Sequence, residues 1–183
     1  MADFEDSLKY EFTDLYKEAV ETKAEDSECP IYDSLEMIFD NYVDFEEIGR
    51  GGMKHIFKVL DKRLNRYVAL AKLPIEMPKA FYDSFIREAR ITALLEHPNI
   101  ISIHDIGLSD DRTPFFTMEL KVGENLGAII KKSAKESFKG AISQEEILQS
   151  FIKVCDAISY AHSKEVLHLD LKPDNIQLGG FGE

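Results

Sequence analysis

Phe4, Leu8, Phe12, Leu15 and Ala19 recur at steps of four, four, three and four, with Tyr16 and Val20 beside them. That spacing predicts one amphipathic helix whose remaining faces are acidic. Residues 21–30, ETKAEDSECP, lose the period and read as a linker, and a short apolar run from Leu35 to Phe39 leads into the body of the chain. From Tyr42 the period changes to two. Tyr42 to Ile48, His55 to Leu60 and Arg66 to Leu73 read as strands, with turns at Gly49 to Gly52 and Asp61 to Asn65. After Pro78 helical spacing takes over: Phe81, Phe85, Glu88, Thr92 and Leu95 fall on one stripe, and His97-Pro98-Asn99 ends the helix. Ile101 to Leu108 and Pro114 to Leu120 supply two more strands. Five strands and one helix in this order predict a small antiparallel sheet with a helix packed on it.

Gly123 marks the next change of texture. Glu124 to Lys135 and Ser143 to Lys164 read as helices, the second opened by a Ser143-x-x-Glu146 capping box and carrying the stripe Leu148, Phe151, Ile152, Cys155 and Ile158. Charge sharpens the division at Tyr42. The chain of 183 residues has a net charge of −12, and residues 1–44 hold 14 acidic against 3 basic side chains, leaving 20 against 19 in the remainder. The acidity belongs to the N-terminal appendage, and no nucleic-acid partner is expected of so acidic a chain. Cys29 and Cys155 fit neither a disulfide framework nor a metal site, which points to a reducing, cytoplasmic setting. No leader pattern opens the sequence, and no run approaches the ~18 apolar residues of a membrane span.

The chemistry concentrates in VLHLDLKPDNIQLG, residues 166–179. Asp170, Lys172 and Asn175 stand at offsets of zero, two and five, with Pro173 fixing the backbone between them. On one short loop, an acceptor carboxylate, a cation and a carboxamide can take a proton, neutralise a phosphate and ligate a divalent metal. Gly49-Arg50-Gly51-Gly52 suits either a phosphate cradle or an ordinary tight hairpin. In the third strand Val68, Leu70 and Lys72 share a face, and an ammonium among apolar neighbours needs a counter-charge. Glu88, on the apolar stripe of the following helix, predicts a buried Lys72–Glu88 pair.

The order His168-x-Asp170-Leu171-Lys172-Pro173-x-Asn175 resembles the catalytic loop H-R-D-L-x-x-x-N of protein kinases, with the Lys-Pro insert of the serine/threonine class. The glycine turn resembles G-x-G-x-x-G-x-V, with Gly49 and Gly51 at the first two glycines and Ile56 for the valine. Phe115-Phe116-Thr117-Met118-Glu119-Leu120-Lys121 has the look of the strand and hinge that join the two lobes. The resemblance covers residues 42–183. It implies an α+β, two-lobed kinase-like fold: an acidic helical extension over 1–41, a five-stranded antiparallel small lobe with its helix C over 42–120, and a hinge with a partial, mainly helical large lobe over 121–183.

It further implies MgATP and transfer of the γ-phosphate to a protein hydroxyl. Asp170 would orient the acceptor, Lys172 would stabilise transferred charge, and Asn175 would ligate magnesium. Lys72 would reach the phosphates while paired to Glu88. Gly49, Arg50, Gly51, Gly52 and Ile56 would cover the nucleotide, Leu70 would press on the adenine, Met118 would stand behind it, and the backbone of Glu119, Leu120 and Lys121 would bond its edge.

The pattern is not followed everywhere. Lys54 occupies the third glycine position, Ala69-Leu70-Ala71-Lys72 replaces V-A-I-K, and Leu169 replaces the arginine that would clamp a phosphorylated activation loop. Regulation is therefore expected from elsewhere, with the acidic N-terminal helix docking on its own domain or a partner. No Asp-Phe-Gly occurs in the 183 residues; Gly180-Phe181-Gly182 lacks the Asp, and Gly179 to Glu183 read as a hairpin turn. Such a sequence is expected to be a fragment that transfers no phosphate by itself and leaves its long-helix stripe uncovered. The alternative class is a non-catalytic nucleotide-binding or interaction module on the same scaffold.

Overall fold

The computed structural model describes residues 30–50, 54–121, 123–133 and 143–179. The predicted N-terminal helix, Gly51 and Gly52, and residues 180–183 of the predicted turn lie outside them. The described elements are α1 (Pro30–Asp33), β1 (Tyr42–Arg50), β2 (His55–Asp61), β3 (Arg66–Lys72), α2 (Tyr82–Ala93), β4 (Ile103–Leu108), β5 (Pro114–Met118), α3 (Leu126–Ser133) and α4 (Gln144–Ser163). Short 3-10 turns occupy Phe39–Asn41, Lys79–Phe81 and Pro173–Asn175. The strands form one sheet in the order β1-β2-β3-β5-β4, every pair antiparallel.

Cross-strand partners point to the same side of an antiparallel sheet, so the register sorts the side chains into two faces. Ile56 pairs with Ala71, and Ala71 with Phe116; Ala69 pairs with Met118. This face packs against Tyr82, Phe85, Ile86 and Ala89 of α2, forming one core together with Leu73. Phe57 pairs with Leu70, Leu70 with Thr117, and Lys72 with Phe115, all on the other side. There Tyr42, Val59, Val68, Leu70 and Phe115 make a second core, covered by Ile38 and Phe39. Phe39 and Tyr42 meet Phe115 edge to face at 5.3 and 5.7 Å. Each fully buried aliphatic or aromatic side chain in these layers contributes ~1.5–3 kcal/mol of transfer free energy. β3 is consequently buried on both faces, from Val68 at 1% exposure to Ala71 at 0%.

The segment preceding β1 is held against β4, where the Leu108 N–H donates to the Glu36 carbonyl at 2.9 Å. Gly107 permits this approach, because a Cβ there would lie 2.9 Å from the same carbonyl and inside the side chain of Ile38. Beyond α2, the Asn99 N–H donates to His97 Nδ1 at 3.1 Å, and the His97 ring stacks on Tyr160 of α4 at 5.4 Å. That contact joins the sheet-bearing part of the chain to the helical part.

The capping box predicted for α4 is present: Ser143 Oγ accepts from the Glu146 N–H at 3.2 Å, and Glu146 Oε2 accepts from the Ser143 N–H at 2.7 Å. α4 buries Ala157 and Ala161, whereas Leu148, Phe151 and Ile152 are 58%, 62% and 52% exposed. Among the described residues, the predicted apolar stripe is thus largely uncovered. An apolar hollow of about 330 Å³ between α3 and α4, lined by Leu126, Phe151 and Ile176 among others, carries no ionisable side chain.

Candidate active site

The loop after α4 gathers three of the predicted residues. The turn Pro173–Asn175 follows Lys172, and the Asn175 N–H returns to the Lys172 carbonyl at 2.9 Å. Pro173 suits that first position, since its ring presets φ and it has no N–H to satisfy. The carboxylate of Asp170 accepts from Lys172 Nζ at 2.8 and 2.7 Å and from Asn175 Nδ2 at 2.9 Å. Asn175 Nδ2 also donates to the Asp170 carbonyl at 2.8 Å, which fixes its carboxamide. The Asp170 N–H points to His168 Nδ1 at 3.3 Å. Lys172 is the principal influence on Asp170 and holds its carboxyl below the usual range, helped by Asn175 and against a smaller effect of burial. Both charged side chains are at least half exposed, so the pair adds little to stability. Its consequence is placement: an ionised carboxylate, an ammonium and a carboxamide converge on one point.

Backbone bonds hold this loop against α3. The Leu126 N–H donates to the Ile176 carbonyl at 2.8 Å, and Asn125 bridges to Gln177. Gly123 makes the approach feasible, with φ at +144° and the Leu178 carbonyl where a Cβ would need to sit. On the sheet side, the Glu119 N–H donates to the Ser102 carbonyl at 2.9 Å and Lys121 Nζ meets Glu119 Oε1 at 2.8 Å, which orders the stretch after Met118. Met118 lies on the α2 face of β5 and packs against the Phe116 core.

The expected Lys72–Glu88 pair does not form. Lys72 Nζ meets Asp111 Oδ2 at 2.8 Å and lies 5.2 Å from the centre of the Phe39 ring, on the face away from α2. Asp111, in the turn between β4 and β5, also accepts from Ser109 Oγ at 2.6 Å and the Thr113 N–H at 3.0 Å. Burial alone would raise the Asp111 carboxyl, but the bonds from Lys72, Ser109 and Thr113 outweigh it and hold the group well below the usual carboxylate range. Glu88 is correspondingly not a member of the apolar stripe. α2 buries Tyr82, Phe85, Ile86 and Ala89, and the Glu88 side chain is 56% exposed. Its Oε1 accepts from Lys54 Nζ at 2.6 Å.

Leu70 requires the same correction. It is fully buried among Val59, Val68 and Phe115, so the small residues Ala69 and Ala71 occupy the side where it was expected. A period-two pattern with apolar residues at both parities does not reveal which parity faces the helix; here the odd residues do, and a one-residue shift exchanges every side chain. The Asp111 partnership left no local sequence signal, since 39 residues separate it from Lys72. Of the glycine turn, Gly49 and Arg50 close β1, paired with Ile56 and His55.

Sheet order, helix placement and loop position are those of the two-lobed kinase fold. The solved structure described as PpkA-294 apo form shares it, with a TM-score of 0.67 at 21% identity, covering 79% of this chain and 56% of that one. The chain belongs to the protein kinase domain family, whose profile matches residues 42–179. It is 38% identical over 153 residues to the serine/threonine-protein kinase PknD of Protochlamydia amoebophila, covering 79% of this chain and 15% of that protein. To PknD of Chlamydia trachomatis serovar D it is 38% identical over 143 residues, covering 74% and 15%. To PknA of Mycobacterium tuberculosis it is 35% identical over 142 residues, covering 74% and 32%. The chain therefore spans less than a third of the length of these relatives. No helix among the described residues is long and apolar enough to cross a membrane.

Proposed function

We propose that these residues form the nucleotide-binding part and catalytic loop of a serine/threonine protein kinase that uses MgATP to phosphorylate a protein hydroxyl. The observation that carries this reading is the convergence of Lys172 and Asn175 on the Asp170 carboxylate within 2.9 Å. Asp170, kept ionised at neutral pH, orients the acceptor hydroxyl and receives its proton. Lys172 offsets charge as the phosphoryl group moves. Because its nitrogen is engaged by Asp170, Asn175 presents Oδ1 to a cation. Magnesium, which keeps most of its oxygen ligands from water and phosphate, suits such a sparse protein contribution. Among the described residues no three His, Cys, Asp or Glu side chains gather into a metal site of their own. When bound, magnesium neutralises phosphate charge. The backbone of Glu119, Leu120 and Lys121 would take the adenine edge, with Met118 behind it, Ile56 above, and Gly49 to Gly52 over the phosphates. A cytoplasmic setting accords with this chemistry.

The test is transfer of radiolabelled γ-phosphate to a generic protein acceptor by the protein as expressed in its host, beside Asp170→Asn. Loss of transfer by orders of magnitude in the variant is the expected result. The 183 residues alone, which contain no Asp-Phe-Gly, are expected to bind nucleotide weakly at best and to transfer no phosphate. A second reading, a nucleotide-binding module without catalysis, is favoured by the absence of an amine on the helix-facing side of β3. It would prevail if ATP binds and the wild-type protein transfers no more phosphate than Asp170→Asn.

A further inference from the structure

We propose that Lys54, at the end of the glycine turn, is the cation that holds Glu88 and anchors the nucleotide phosphates, in place of a lysine on β3. The inference rests on the kinase reading above and assigns one role within it. Its basis is the disposition of charge on the sheet. Lys72, the one lysine of β3, turns to the face away from α2 and is engaged by Asp111. The residue that β3 presents toward α2 at that level is Ala71, fully buried beside Ala89 and Phe116. Glu88 would then face the site with no ammonium from β3. Lys54 supplies one, with Nζ 2.6 Å from Glu88 Oε1 and 5.7 Å from the centre of the Phe116 ring.

The geometry makes the substitution of one strand for another workable. Ile56 is the cross-strand partner of Ala71. Lys54, two residues earlier, falls on the same side of the sheet and one diagonal step from Ala71. Diagonal neighbours across a strand pair lie ~7–8 Å apart, within reach of a long side chain. An amine carried by Lys54 can therefore occupy the space that a lysine at position 71 would fill. Lys58, the next cation along the same face of β2, is bound instead to Glu46 at 2.9 Å and lies over the Tyr67 ring. In sequence Lys54 also lies two residues after Gly52, and glycines let backbone N–H groups approach phosphate oxygens closely. Its side chain is tethered by Glu88 and still 36% exposed. The absence of the third glycine and the misplaced strand lysine then become one feature: a cation moved from β3 to the glycine turn.

The deciding measurement is affinity for MgATP and for adenosine, by isothermal titration, of the wild-type chain, Lys54→Gln, Lys54→Arg and Lys72→Gln. Circular dichroism verifies that each variant is folded. Lys54→Gln is expected to weaken MgATP at least tenfold while leaving adenosine within a factor of two, because only the phosphate contact is lost. Lys54→Arg retains the charge and should recover part of that factor. Lys72→Gln should keep the wild-type ratio of the two affinities, with its cost appearing in thermal stability. The assignment is overturned if Lys54→Gln leaves the ratio unchanged, or if Lys72→Gln abolishes the preference for ATP. Wild-type protein that binds neither ligand would overturn the kinase reading itself, so the two failures are distinct.

Discussion

The Lys72–Asp111 pair offers a direct check on how the sheet is oriented, through Lys72→Met. The two side chains are 18% and 30% exposed, and the bond is 2.8 Å. Methionine keeps an unbranched side chain of similar length and deletes the charge that lies over the Phe39 ring. Asp111 retains its bonds from Ser109 Oγ and the Thr113 N–H, so its carboxylate is left partly satisfied. A hydrogen bond to a charged group contributes ~1.5–3 kcal/mol, and partial solvent access lowers that toward the value of a surface pair. The loss should therefore be about 1–2 kcal/mol. For a chain of this size that corresponds to a fall in Tm of roughly 2–8 °C. Urea unfolding of Lys72→Met, Asp111→Asn and the double variant should give a coupling energy of about 1 kcal/mol. The same cycle with Glu88→Gln should be additive within ~0.5 kcal/mol. Stronger coupling of Lys72 to Glu88 than to Asp111 would refute the face assignment and restore the pairing expected from the sequence.

The same carboxylate sets a pH dependence. The folded-state pKa of Asp111 is depressed, so its stabilisation is complete above the unfolded value of ~3.9 and is lost as pH falls from there toward the folded value. Wild-type urea midpoints should therefore drop more steeply below about pH 4 than those of Asp111→Asn. Ser143→Ala removes one half of the capping box and should cost ~1 kcal/mol in thermal unfolding, with fraying confined to the start of α4. Gly107→Ala forces a methyl into Ile38 and the Glu36 carbonyl, which should cost ~1–3 kcal/mol. Amide exchange should then accelerate at Leu108, whose N–H is held by that carbonyl. Leu169 is 65% exposed where a phosphate-clamping arginine is expected by resemblance, so control should reside elsewhere. Deletion of residues 1–40 from the protein as expressed in its host should change phosphate transfer or Tm; no change in either would dismiss a regulatory role for that segment.

Among the described residues, sequence spacing alone determined the strands, the helices that follow Pro78 and Gly123, the capping box and the loop that carries Asp170, Lys172 and Asn175. Each is specified by residues within a few positions of one another: Ser143 with Glu146, or Asp170 with Lys172 and Asn175. Such contacts form wherever the local backbone takes its preferred path, so they are legible before any tertiary structure exists. The partners of Lys72 and Glu88 were not legible in that way. Lys54 lies 34 positions from Glu88, and Asp111 lies 39 from Lys72. β3 is apolar at both parities because the helix covers one face while Phe39, Tyr42 and their neighbours cover the other. An alternating pattern identifies a buried face only when the opposite face is wet. With both faces dry, only the packing of α2 against Ala71 and Phe116 decided which lysine reaches Glu88.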